Sequence, residues 1–114
     1  MKEIVVVEDD KSVREILVQC LELLDCSIQS FQNGLEALKF LERNASGVHL
    51  LIADQTLPGL PGDQLVLEFQ KLNPVAPALL MSGGHFEEKE IPVMRQPFLI
   101  PDFLQRVKML LGVA

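Results

Sequence analysis

Four polar side chains in this sequence stand where chemistry could be done. Glu8 and Asp9 directly follow the apolar run Ile4 to Val7, Asp54 follows Val48 to Ala53, and Ser82 follows Ala78 to Met81. A fifth polar group, Gln96, follows the weaker run Ile91 to Arg95. The strong donors are all oxygens. Carboxylates gathered without a counterion repel one another, so a set of this kind is sensible around a cation. All-oxygen ligation without thiol or imidazole suits a hard ion, and Mg2+ is the natural candidate. Each piece alone has an ordinary explanation: a solvated helix cap for the acidic pair, a turn former for Asp54, a flexible loop for Ser82-Gly83-Gly84. Their joint occurrence at the ends of successive apolar runs is what points to a site.

The elements that must bring these groups together can be read from periodicity. Ile4 to Val7 is a short β-branched run, the mark of a strand buried on both faces of a parallel sheet. Val13, Ile16, Leu17, Cys20, Leu23 and Leu24 then recur at helical spacing, and Ser12 with Glu15 fits a capping box. The alternation repeats. Ser27 to Phe31 reads as a second strand, Asn33-Gly34 opens a helix carrying Leu35, Ala37, Leu38 and Leu41 that runs out near Asn44, and Val48 to Ala53 is a third strand. After the turn-rich loop Leu57 to Gly62, Leu65, Val66, Phe69 and Leu72 stripe a third helix ending before Pro74. Ala78 to Met81 is a fourth strand, Ile91 to Arg95 a fifth, and Asp102 to Leu111 a final helix with Phe103, Leu104, Val107, Leu110 and Leu111 inward. Repeated βα units imply a doubly wound α/β fold, a parallel sheet with helices on both faces. In such sheets functional groups gather beyond the carboxyl ends of the strands, where Glu8, Asp9, Asp54, Ser82 and Gln96 all lie.

One crossover breaks the pattern. Parallel strands need a connection of about a dozen residues, usually with a helix, yet only Gly83 to Glu90 separate the fourth run from the fifth. A loop, or at most one helical turn, is expected there in place of a full helix. Such a loss would bare part of one sheet face, to be covered by a second copy in a homodimer or by a rearranged final helix.

Composition narrows the function classes. The 114 residues suit one domain, residues 1–114, with a core of its own, and 48% apolar content argues against disorder. A net charge of −6, with no basic run among the ten Lys and Arg, argues against direct nucleic-acid binding. No stretch has the form of a signal peptide or a membrane span, so a cytoplasmic protein is expected. Cys20 and Cys26 lack CxxC spacing, and with only His49 and His85 as imidazoles they read as small packed thiols.

The ordered segments VVVEDDKSVREIL, LLIADQTLPGLPG, LLMSGG and QPF resemble the response-regulator receiver domain of two-component signalling, over essentially the whole chain. The resemblance implies a flavodoxin-like receiver fold with five parallel strands in the order 2-1-3-4-5. It implies that Asp54 is the phosphoacceptor, taking a phosphoryl group from a histidine kinase or histidine phosphotransfer protein, with Pro58 and Gly62 at the family's loop positions. Asp9 and Asp54 resemble direct Mg2+ ligands, Glu8 a ligand through water, and Thr56 a donor of its backbone carbonyl. Ser82 matches the switch hydroxyl, and the Gln96–Pro97 peptide would be cis. Those roles make physical sense, because a carboxylate attacks a phosphoryl group poorly unless a metal neutralises the charge on its oxygens. No enzymatic activity is implied beyond self-phosphotransfer and autodephosphorylation.

The departures lie on the other side of the pocket. Gln96 stands where the family carries a lysine, and exchanging a charge-assisted bond of about 1.5–3 kcal/mol for a neutral one of about 0.5–1.5 weakens the contact roughly tenfold. Arg95 should point to the opposite strand face, and Lys89 reads as a solvated surface residue. Val93 stands where receivers often carry a switch aromatic. Two readings follow. One is a phosphoacceptor domain in a phosphorelay; the other is a pseudo-receiver, a protein-interaction module that works without phosphorylation. A small aspartyl-phosphate hydrolase is disfavoured, because it needs a second aspartate where Thr56 stands.

Overall fold

The computed structural model describes residues 1–84 and 91–113. Continuous apolar runs give strands that can only be satisfied between neighbours. β1 (Glu3–Val7), β3 (Leu50–Asp54) and β4 (Ala78–Ser82) form the centre of a sheet flanked by β2 (Ser27–Phe31) and β5 (Val93–Arg95). All pairs are parallel, in the order β2-β1-β3-β4-β5, with Val5 opposite both Gln29 and Leu51 and Leu80 opposite Val93. The sheet therefore has the expected order. Between the strands run α1 (Lys11–Glu22), α2 (Gly34–Asn44), α3 (Gly62–Leu72) and, after β5, α4 (Ile100–Leu111).

Alternation along the central strands divides the core into two layers. Ile4, Val6, Leu50, Ile52, Leu79 and Met81 meet Leu17 and Leu21 of α1 and Phe103, Val107 and Leu111 of α4. Val5, Val7, Leu51, Ala53 and Leu80 face the other way, against Leu41 of α2 and Leu65, Val66 and Phe69 of α3. Burying each such side chain is worth about 1.5–3 kcal/mol, and these two layers hold the strand ends in place.

Several local expectations need correction. Ser12 and Glu15 do not cap α1; the helix starts earlier, and the Asp10 carboxylate accepts the Val13 N–H at 3.1 Å. An aspartate placed immediately before the helix can take an orphan amide directly, leaving Ser12 inside the first turn. Ile16 and Leu23 face solvent, while Leu21, which the apolar stripe had omitted, is fully buried. β3 begins later than Val48, because Ala45–Gly47 form a 3-10 turn that brings the chain out of α2. Asn73 amide bonds to the Ala45 and Val48 carbonyls, at 2.8 and 3.2 Å, close that turn.

The expected bare sheet face is also absent among the described residues. Leu80, Ile91 and Val93 are 0, 9 and 7% exposed, packed into the layer that contains Phe69. α4 remains with α1 on the opposite side, so it has not moved across to cover them. The reason for expecting a homodimer on that face is therefore gone. The shortened connection after Gly84, with His85 and Lys89, lies outside the described residues; among those described there are four helices.

Candidate functional site

Parallel register carries the ends of β1, β3 and β4 to one edge of the sheet. There Glu8, Asp9 and Asp54 each turn a carboxylate oxygen into a common space, all within 4.8 Å of one another. Glu8 is held there by its backbone: its N–H donates to the Phe31 carbonyl at 3.0 Å, and its own carbonyl accepts from Arg14 Nη1 at 2.7 Å. Arg14 thus braces the turn from β1 into α1, a role invisible in periodicity because the contact joins a helix side chain to a strand-end carbonyl.

The Glu8 side chain has the opposite fortune. It is 2% exposed, and its Oε2 has no hydrogen-bond partner. Burial, then hydrogen bonding and charge from Asp54, then the same from Asp9, push its carboxyl up from 4.5 to about 8. Every one of these influences raises it, and no cationic side chain is among them. A buried acceptor with no donor is costly, so the site as built lacks something positive.

A divalent cation fits that gap. The Glu8, Asp9 and Asp54 oxygens, all within 4.8 Å of one another, are close enough to share one such ion. A cation there would offset both the burial and the neighbouring carboxylate charge that push the Glu8 carboxyl up.

Asp54 is 9% exposed, and its Oδ1 accepts the Thr56 N–H at 3.1 Å. Thr56 itself is exposed in the loop after β3. That loop is pinned at both ends, by the Gln55 N–H on the Met81 carbonyl at 2.8 Å and the Gly62 N–H on the Gln55 carbonyl at 3.1 Å. Gly62 packs its α-carbon against the Asp54 carbonyl group, and a Cβ there would lie 2.7 Å from the Asp54 carbonyl carbon. Gly62, the first residue of α3, is thus demanded by the close approach of Asp54 and not by a left-handed turn.

Ser82, 5% exposed, ends β4, and its carbonyl accepts the Gln96 N–H at 2.8 Å. Gln96 follows β5 with a cis peptide to Pro97, and Phe98 stacks on Phe103 with ring centroids 5.2 Å apart. That stacking fastens the turn to α4. The Gln96 side-chain oxygen lies beside Gly83, 3.8 Å from where a Cβ would stand. Arg95 is exposed, and Val93 is buried in the core layer.

A family model described as the response regulator receiver domain matches residues 4–96. Among curated proteins, the C4-dicarboxylate transport transcriptional regulatory protein DctD of Rhizobium meliloti is 32% identical over 77 residues, 68% of this chain and 16% of DctD. The chain therefore spans under a fifth of that relative. The response regulator receiver protein CpdR of Brucella abortus is 25% identical over 122 residues, the full length of both. Among solved structures, the receiver domain of the hybrid histidine kinase CckA superposes with a TM-score of 0.85 at 30% identity, covering 96% of this chain and 98% of that one.

Proposed function

The chain belongs to the response regulator receiver domain family, and from that premise we propose that residues 1–114 form one receiver domain that accepts a phosphoryl group on Asp54. The observation that carries this reading is the convergence of the Glu8, Asp9 and Asp54 carboxylates, with Glu8 Oε2 buried and without a hydrogen-bond partner. Glu8, Asp9 and Asp54, with the Thr56 carbonyl, would hold Mg2+, which when bound neutralises charge on the incoming phosphoryl oxygens. Asp54 supplies the nucleophile. One of its carboxylate oxygens bonds to phosphorus while the bond from phosphorus to the donor's imidazole nitrogen breaks, and the electron pair leaves with the donor. The Thr56 N–H holds Oδ1 and limits rotation of the attacking group. In this reading Ser82 would donate its hydroxyl, and Gln96 its side-chain amide, to phosphoryl oxygens.

The donor in this reading is a histidine kinase or a histidine phosphotransfer protein, and the domain acts on no separate substrate. A cytoplasmic setting goes with it; among the described residues no helix is long and apolar enough to cross a membrane. The rival, a module that signals without phosphorylation, draws on the neutral amide of Gln96, which brings no charge to a phosphoryl group. Retention of Asp54, Glu8, Asp9 and Ser82 together weighs against it.

Two measurements test the proposal. With Mg2+ and either acetyl phosphate or beryllofluoride, the protein should gain one adduct, seen by mass or by fluorine NMR, and Asp54→Asn should gain none. Absence of a Mg2+-dependent adduct on the unaltered protein would end the phosphoacceptor reading. Gln96→Lys should then raise adduct occupancy at limiting donor, or change its lifetime, by roughly tenfold, the worth of about 1–1.5 kcal/mol. Unchanged occupancy and lifetime would show that Gln96 does not limit the reaction.

A further inference from the structure

The first turn of α3 takes no cap from the residue that precedes it. Its N-cap residue is Pro61, which offers no side-chain acceptor, yet the orphan amides of the turn are all satisfied. The Gly62 N–H reaches the Gln55 carbonyl at 3.1 Å, the Asp63 N–H reaches Gln55 Oε1 at 2.9 Å, and the Gln64 N–H reaches Asp63 Oδ1 at 3.0 Å. Gln55 Nε2 donates to the same Asp63 Oδ1 at 3.0 Å. Gln55 therefore caps the helix from the far side of the loop, using its backbone carbonyl and both ends of its amide.

Gln55 is also the residue joining Asp54 to Thr56. Whatever fixes its side chain fixes the peptide that carries the Thr56 N–H to Asp54 Oδ1. We infer that Gln55, clamped by Asp63, is a positioning residue that orients the Asp54 carboxylate and the Thr56 backbone. The inference rests on the phosphoacceptor reading for its consequence, but not for its geometry. Neither Gln55 nor Asp63 belongs to the carboxylate cluster, so their effect is exerted through Thr56 and Asp54. Partners that orient metal ligands typically account for 10- to 100-fold in affinity.

The experiment has two readouts on the full chain. In 15N-labelled, metal-free protein, Gln55→Ala and Asp63→Ala should each speed exchange of the Thr56 amide by roughly tenfold, and the double variant should add little more. In a Mn2+ titration followed by electron paramagnetic resonance, the same variants should bind roughly 10- to 100-fold more weakly. Asp63→Asn keeps an oxygen for both Gln55 Nε2 and the Gln64 N–H, so it should restore the unaltered values. Leu67→Gly, at an exposed mid-helix position, weakens α3 without touching the clamp and should move neither readout. If Gln55→Ala leaves Thr56 exchange unchanged, or Leu67→Gly accelerates it equally, Gln55 is a helix cap and nothing more. Failure of the unaltered protein to bind Mn2+ would count against the functional reading, while Thr56 exchange in the metal-free state still decides the role of Gln55.

Discussion

Gly62→Ala should destabilise the protein by about 3 kcal/mol, at the upper end of what overpacking a filled core costs. Helix propensity points the other way, since alanine is favoured over glycine within helices by about 1 kcal/mol. Space decides between them. The new methyl group would meet the Asp54 carbonyl carbon at 2.7 Å and Leu80 Cδ1 at 2.9 Å. Leu80 could turn aside, but the Asp54 peptide is fixed in the sheet by pairing with β4. Relief therefore requires α3 to lift or the end of β3 to shift, and either displaces Asp54. Urea unfolding should show the loss, and phosphoryl or beryllofluoride uptake should fall with it. Gly47→Ala is the comparison, because nothing lies within 4 Å of a Cβ there and its stability should stay within about 0.5 kcal/mol. Equal midpoints for the two variants would show that the contact at Asp54 is easily relieved.

Glu8 should make the metal-free protein less stable as pH rises. Its carboxyl titrates at about 8 in the fold against 4.5 ordinarily. Below pH 4.5 it is protonated in both states and contributes nothing to the difference. Between 4.5 and 8 the unfolded chain has lost this proton and the folded chain keeps it, so the folded state binds more protons and stability falls with pH. Above 8 the loss is complete. Each pH unit of that interval is worth about 1.4 kcal/mol, which makes the whole effect several kcal/mol. Glu8→Gln removes the titration, so it should match the unaltered protein near pH 4.5 and exceed it at pH 8. A saturating divalent cation should stabilise the unaltered protein more at pH 8 than at pH 5, since it binds the ionised form. Parallel stability curves for Glu8→Gln and the unaltered protein from pH 4.5 to 8 would refute the burial argument.

Much of this was legible in the chain because strand and helix carry different periods. Short β-branched runs such as Ile4 to Val7 have no helical reading at that length, and five strand-like runs separated in all but one case by helical stripes leave few topologies open. The positions of Glu8, Asp9, Asp54 and Ser82 followed from that, since a residue after a buried strand of a parallel sheet has one place to go. What stayed hidden depended on partners distant in sequence. Asp10 and Ser12 compete for the cap of α1, and only the backbone path settles which amide is in reach. The clamp of Gln55 on Asp63 had one faint sign, a proline where α3 needs an acceptor. The apolar face beside β5 was expected to be bare because a crossover was short, but a count of connecting residues says nothing of how Ile91 and Val93 pack.

The end of β4 ties both sides of the pocket together. The Met81 carbonyl takes the Gln55 N–H and the Ser82 carbonyl takes the Gln96 N–H, both at 2.8 Å. Asp54 and Gln96 thus share a conduit only two peptides long. A displacement of Ser82 cannot be private to one of them: it must register on the loop after β3 and on the turn after β5 at once. Chemical shifts of Gln55 and Gln96 amides should accordingly move in proportion through any titration that engages Asp54, like two needles on one shaft.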